Sequence, residues 1–315
     1  MLNKIGTKGN PLRILVADNW GTDAHGTLKR KFPNVSFSTY VETSSVHPHG
    51  HMVAECICHM LPRDKYVDIV FLPYLDLQNI PEYNWKNVIE SERKAGRPFH
   101  IANCSFGAHH GNDDVWKSVL GAKWNTPEKL AEAKEKIGDT IVLFASGNQD
   151  SSTPNKDHME NDVNYPQKAL SQLENLFVIG ACDYKSIPSL FSSDGEQVFA
   201  MYLGEGVALF DPTVNRIVKV NGTSFASPFA AGNVAEYMLQ GEKITHDWYL
   251  NLVLTKGWIA PGWNRGDQHR KAGYGSMISE MYNKEYFKKF YRSRSGRLDT
   301  LQNLEDKYHD FDEIS

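Results

Sequence analysis

The sequence predicts an α/β protein with a mainly parallel central sheet and helices on both faces. Short apolar runs alternate along the chain with segments of helical periodicity, the order that a parallel sheet with crossover helices requires. The runs are apolar throughout rather than at every second position, as in strands covered on both faces. Polar residues of catalytic type (Asp18, Ser105 and Asn148) lie at or just beyond the ends of several runs. In such sheets the carboxyl ends of the strands are where ligands bind.

Each element has its own reason. Arg13–Ala17 is the first strand, closing at Asp18 and turning near Gly21. From His49 to Leu61, Val53, Ile57 and Leu61 recur on one helix face, and Pro62 stops the helix. Val67–Leu72 is a strand, Trp85–Lys94 a helix ending near Gly96, and Phe99–Ser105 a strand. Lys129–Ile137 is a polar helix; Thr140–Ala145 and Leu176–Ala181 are two further strands. Residues 182–223 change to shorter strands and turns. A helix then begins around Ser224 and runs through Ala226, Ala230, Ala231, Val234 and Met238 toward Gly241. The small residues Gly222, Ala226, Ala230 and Gly232 are expected to let it approach the sheet closely. Pro228 is read as a residue of its first turn, where N–H groups have no intrahelical partner.

Composition excludes several function classes. Across 315 residues, 34 Lys+Arg face 38 Asp+Glu, a net charge of −4, which argues against a nucleic-acid protein held by bulk positive charge. No apolar run reaches the ~18 residues of a membrane span. Lys4, Lys8 and Arg13 break any signal-peptide core. No nucleic-acid partner, no membrane partner and a cytoplasmic location are therefore expected. Cys56, Cys58, Cys104 and Cys182 are too scattered for a disulfide framework and are read as reduced and mostly buried.

The most specific segment is Asn221-Gly222-Thr223-Ser224-Phe225-Ala226-Ser227-Pro228. A serine opening a helix presents its hydroxyl beside free backbone N–H groups and the positive helix end, which suit an adjacent oxyanion. A bare serine there would be a structural cap. The five fixed positions G-T-S-x-A-x-P would arise by chance in this length roughly a few times in ten thousand.

This segment resembles the nucleophile motif of the subtilases, the subtilisin-like serine proteases. The resemblance implies partners in the order Asp, His, Ser. Asp18 in VADNWG is similar to the family's aspartate segment, with the glycine three positions on rather than two. His49-Gly50-His51-Met52-Val53-Ala54 resembles the histidine motif, with His51 where the family usually has Thr. Phe144-Ala145-Ser146-Gly147-Asn148 resembles the segment bearing the oxyanion-hole asparagine, and Asn103-Cys104-Ser105-Phe106-Gly107 the strand that pairs with substrate. The likeness runs from about Arg13 to Ile278.

The resemblance implies a subtilisin-like three-layer fold and a serine endopeptidase working through an acyl-enzyme. Asp18, His49 and Ser224 would be catalytic and Asn148 the oxyanion donor. Ser105, Phe106, Gly107, Ala145, Ser146 and Gly147 would bind a protein or peptide substrate, with Asn164 near the base of the primary pocket. No cofactor is required by this chemistry; structural calcium is common in the family, and no loop here is specific enough to place it. Few residues precede Asp18, which leaves open unaided folding, a processed form, or an inhibitory N-terminal segment. An intracellular processing protease is the expectation.

Other readings compete. Alternating His47, His49 and His51 would share a face on a strand and could bind metal; His51 could instead be an ordinary polar residue of the helix's first turn. Asp23 rivals Asp18 but lies in the turn, Asn148 could be a turn residue, and His109-His110 are loop residues that could line a cleft. A catalytically silent subtilase fold that binds peptides, or serves as a structural protein, would have no need of all four polar residues. The expected organisation is a short segment 1–12, a peptidase domain 13–281 and a charged tail 282–315. From Lys284 to Arg297 six basic residues face one Glu; from Leu298 six acidic residues face one Lys. The tail is read as a solvated, partly helical appendage, or as an arm for self-association or docking.

Overall fold

A computed structural model describes residues 4–18, 26–41, 48–73, 80–106, 126–148, 167–193, 195, 197–258, 274–281 and 283–291. The first strand, β1 (Leu12–Asp18), is followed by α1 (Thr27–Lys31), β2 (Val35–Thr39), α2 (Pro48–Met60) and β3 (Val67–Pro73). Then come α3 (Trp85–Lys94), β4 (Ile101–Cys104), α4 (Pro127–Ile137), β5 (Ile141–Ala145), α5 (Gln167–Leu170) and β6 (Leu176–Cys182). The remainder is β7 (Val198–Leu203), β8 (Val207–Asp211), β9 (Arg216–Val220), α6 (Thr223–Gln240), α7 (His246–Lys256), α8 (Ile278–Met281) and α9 (Glu285–Tyr291).

Among the described residues, seven strands form one sheet in the order β2-β3-β1-β4-β5-β6-β7, and β8 and β9 make a separate hairpin. All neighbouring pairs in the large sheet are parallel. Successive side chains of a strand point to opposite faces. Ile14 and Val16 of β1 therefore join an apolar layer with α2 and α6, while Leu15 and Ala17 join the layer of α3 and α4. These are the three layers the fold class implies. Strand order reverses at β1, with β3 and β2 on one side and β4 to β7 on the other. Such a reversal opens a crevice at the carboxyl ends of the strands, here those of β1 and β4.

The packing of α2 on α6 sets the site. Gly232 lies eight residues beyond Ser224, and Ile57 eight beyond His49. A Cβ on Gly232 would sit 2.6 Å from the Ile57 carbonyl oxygen and 2.7 Å from the Met60 Cβ. The two helices thus run side by side in one direction, in contact about 12 Å beyond their active ends at 1.5 Å per residue. Gly232 serves the approach of α6 to α2 rather than to the sheet.

Three local readings are corrected. Pro228 is the sixth residue of α6, in its second turn rather than its first. Strand β4 is shorter than expected, and Phe99 and Ser105 flank it. Helix α9 is no solvated appendage: Tyr286, Phe287, Phe290 and Tyr291 are buried in the main core. The Ala208 N–H donates to the Tyr286 hydroxyl (3.0 Å), and the Tyr291 hydroxyl donates to the Gly206 carbonyl (2.7 Å). Its lysines form the polar side of an amphipathic helix, so Glu285–Tyr291 packs as part of the folded domain, and residues 292–315 lie outside the described residues. All four cysteines are buried thiols, none in a disulfide. Among the described residues, no helix is long and apolar enough to cross a membrane.

A buried carboxylate ties this side together. Glu55 of α2 accepts from Lys31, from His59 Nε2 (3.3 Å) and from the Phe210 N–H (3.0 Å). Burial alone would push its pKa up, but the Lys31 charge and the His59 hydrogen bond outweigh it and hold the carboxyl at about 2. Its folded pKa is below the ordinary value of 4.5, so its contribution is full above 4.5 and is lost as pH falls toward 2. Glu55→Gln is expected to cost about 2–3 kcal/mol at neutral pH. Urea unfolding would read that loss, and the variant's stability should vary less with pH over that acid interval than the wild type's.

Candidate active site

The carboxyl end of β1, the start of α2 and the start of α6 converge. Asp18 closes β1 and is 1% exposed. His49 follows Pro48, whose fixed φ suits the first helical position. Ser224 is the second residue of α6 and is 9% exposed. His49 Nδ1 lies 2.6 Å from Asp18 Oδ1, and His49 Nε2 lies 3.0 Å from Ser224 Oγ. An ionised carboxylate only accepts, so Nδ1 carries the proton, and in the neutral ring Nε2 accepts from the serine hydroxyl. Phe225 packs beside the imidazole, ring centroids 5.1 Å apart.

The imidazole is pulled two ways. Burial lowers its pKa, but the charge of Asp18 and the hydrogen bond to it outweigh burial and raise the pKa above 6.5. His51, two residues along the helix, is buried, its ring 6.3 Å from that of Phe210. It is thus a core residue rather than an ordinary polar residue of the first turn. Successive helical residues turn by about 100°, so His49 and His51 point apart and do not share a metal-binding face. His47, Asp23, His109 and His110 lie outside the described residues.

Asn148 is fixed by Thr223. Its Oδ1 accepts from the Thr223 N–H (2.8 Å) and hydroxyl (3.0 Å), and the Gly147 N–H donates to that hydroxyl (3.2 Å). Because the Thr223 N–H can only donate, the amide orientation is settled and Nδ2 is turned to the Gly222 side. A Cβ on Gly222 would come within 3.5 Å of Nδ2 and 2.9 Å of Ser224 Oγ, so the close approach excludes a side chain there. The Ser224 N–H belongs to the first turn of α6, where backbone donors have no intrahelical acceptor.

The backbone of the serine turn has a second support. Pro228 has no N–H for the Ser224 carbonyl four residues earlier. The Ser105 hydroxyl supplies the donor instead, at 2.9 Å. Asn103 Nδ2 donates to the Ser105 oxygen (2.9 Å), and the Ser227 hydroxyl donates to Asn103 Oδ1 (2.8 Å). All three polar residues are buried.

These bonds alter the expectation for several residues. The Ser105 hydroxyl is used on Ser224 and its N–H on the Ala17 carbonyl (3.4 Å), so only its carbonyl is open to a substrate. Ser146 is fully buried, its N–H on the Ile179 carbonyl (2.9 Å) and its hydroxyl on the Ser193 carbonyl (3.0 Å). Gly147 likewise uses both backbone groups, accepting from the Ser193 N–H (2.9 Å). The carbonyls of Phe106 and Ala145 both accept from Gln167, a residue that no motif marked. Gly107 and Asn164 lie outside the described residues.

The sequence model of the subtilase family matches residues 43–275. A curated relative, Subtilisin DY of Bacillus licheniformis, is 30% identical over 135 residues, 43% of this chain and 46% of that protein. The match thus spans about half the length of that relative. Among solved structures, a lanthipeptide protease matches with a TM-score of 0.60 at 18% identity, over 86% of this chain and 88% of its own. The prenylagaramide maturation protease PagA matches at 0.58 and 18%, over 86% and 92%. The PatG macrocyclase domain matches at 0.58 and 14%, over 86% and 90%. At these identities the likeness is one of fold.

Proposed function

Because the chain belongs to the subtilase family of serine proteases, we propose that it is an endopeptidase with Ser224 as nucleophile, His49 as general base and acid, and Asp18 as the carboxylate that orients the imidazole. The observation that carries this reading is the unbroken path from Asp18 through His49 to the Ser224 hydroxyl, with bonds of 2.6 and 3.0 Å.

Serine is a weak nucleophile at its free pKa and needs a base within hydrogen-bond reach. As Ser224 Oγ attacks the peptide carbonyl, His49 Nε2 takes its proton and Asp18 stabilises the imidazolium. The oxyanion receives the Asn148 Nδ2 and the Ser224 N–H. His49 then returns the proton to the leaving amine, and an ester to Ser224 remains. Water, deprotonated by the same imidazole, attacks that ester and frees the serine. The cycle requires no cofactor.

The substrate lies extended beside the end of β4, as an added strand. Among the described residues none donates to the Ser105 carbonyl, which supports it as an acceptor for a substrate N–H. By the family resemblance Gly107 and Asn164 would also contact the substrate. The likeness to maturation proteases supports a role in processing a precursor peptide, and buried thiols outside any disulfide suit a reducing compartment.

Asn148→Ala tests the oxyanion assignment. It is expected to lower kcat by about 10²–10³, the loss known for a subtilisin asparagine in this role, with little change in KM. An unchanged kcat would make Asn148 a turn residue only.

A further inference from the structure

The ladder between β4 and β5 ends at the pair Cys104 and Phe144. Beyond it both chains hold the serine turn, β4 through the Ser105 hydroxyl on the Ser224 carbonyl and β5 through the Gly147 N–H on Thr223. Gln167, the first residue of α5, bridges the two. It is fully buried, and its Nε2 donates to the Phe106 carbonyl at 2.7 Å and to the Ala145 carbonyl at 2.8 Å. A flipped amide would set an oxygen against two carbonyl oxygens, so the two acceptors dictate its orientation. Its Oε1 is buried and has no hydrogen-bond partner among the described residues. An unsatisfied buried acceptor is uncommon and unfavourable. An apolar side chain of the same length would fill the space without that cost. What glutamine adds is its NH₂ group, with one hydrogen for each carbonyl.

We propose that Gln167 is a positioning residue of the substrate cleft, its amide standing in for the rung the sheet loses where β4 and β5 end. This inference rests on the protease reading and deepens it. The clip fixes the separation of the two chains that flank Ser224. It also fixes which carbonyls face the cleft, because successive carbonyls of an extended chain point in opposite directions. With the Phe106 carbonyl turned to Gln167, the Ser105 carbonyl one residue earlier is turned the other way, toward an incoming peptide backbone. Gln167 thus acts on recognition of the peptide rather than on the reacting atoms.

The test compares wild type, Gln167→Met, which keeps the length and removes both donors, and Gln167→Asn, which keeps both donors on a shorter stem. Each is titrated with a fluorophosphonate, so that rates refer to competent sites, and assayed on peptides varied at the residue before the scissile bond. Losing a neutral hydrogen bond is worth about tenfold in binding. Gln167→Met is expected to raise KM about tenfold or more and to narrow the preference among the peptides. Its rate of modification at Ser224 should stay within about threefold, since the acid–base pair is untouched. Gln167→Asn should fall between the two. A lowered Tm with unchanged KM and preference would overturn the proposal and leave Gln167 a packing residue. Should Gln167→Met not fold, Gln167→Leu, which also removes both donors, is read in the same way. A wild-type chain that takes up no fluorophosphonate would overturn the protease reading along with the inference, which separates the two failures.

Discussion

Ser224→Ala and His49→Ala are each expected to lower kcat/KM for a cleaved peptide by about 10⁴–10⁶, and the double variant by no more than the worse single one. The reason lies in the 3.0 Å contact between Nε2 and Oγ. Without the base, the hydroxyl attacks as a neutral and weak nucleophile; without the hydroxyl, the base has no proton to take. Each residue acts only through the other, so their losses do not add. The residual rate is that of Asn148, the Ser224 backbone N–H and substrate binding alone. Peptide hydrolysis under single-turnover conditions would measure it. Losses that multiplied in the double variant would mean that the two side chains act independently, contrary to the geometry.

Asp18→Asn is expected to cost about 10⁴-fold in kcat and to move the acid limb of the pH profile. An asparagine that turns its NH₂ to Nδ1 selects the tautomer with the proton on Nε2, and that nitrogen can no longer accept from Ser224. The pH effect has a definite sign. In the wild type, burial lowers the His49 pKa and Asp18 more than offsets it, so activity should rise with pH through a midpoint above 6.5. Removing the Asp18 charge leaves the burial, and the midpoint of the residual activity should drop below 6.5. A midpoint that stayed in place would show that another group governs the limb.

Much of this was legible in the residues because the chemistry demands particular types at particular places. Ser224, His49, Asp18 and Asn148 sit in short motifs, and the apolar runs of β1, β3, β5 and β6 read as strands covered on both faces. The losses have physical causes. Helix α1 has five residues and no apolar stripe, and β2 is a five-residue edge strand whose alternation, Val35 and Phe37 inward with Ser36 and Ser38 exposed, is too short to stand out from a polar loop. Helix α9 sets an aromatic face among lysines, so its charge count is that of a solvated segment although its aromatics are buried. Pro228, Ser105 and Asn103 are coupled only in space: the missing N–H of one is made good by the hydroxyl of another 123 residues earlier in the chain. Gln167 carries no motif, and its role follows from two carbonyls that the sheet brings to its amide.

The central claim is that Ser224 is an activated nucleophile. Fluorophosphonate treatment of the full chain, read by intact mass beside Ser224→Ala, tests it most directly. One adduct per chain is expected, mapped to Ser224 and absent from both Ser224→Ala and His49→Ala. A folded wild-type chain that takes up no adduct, or takes it up equally when Ser224 is alanine, would contradict it.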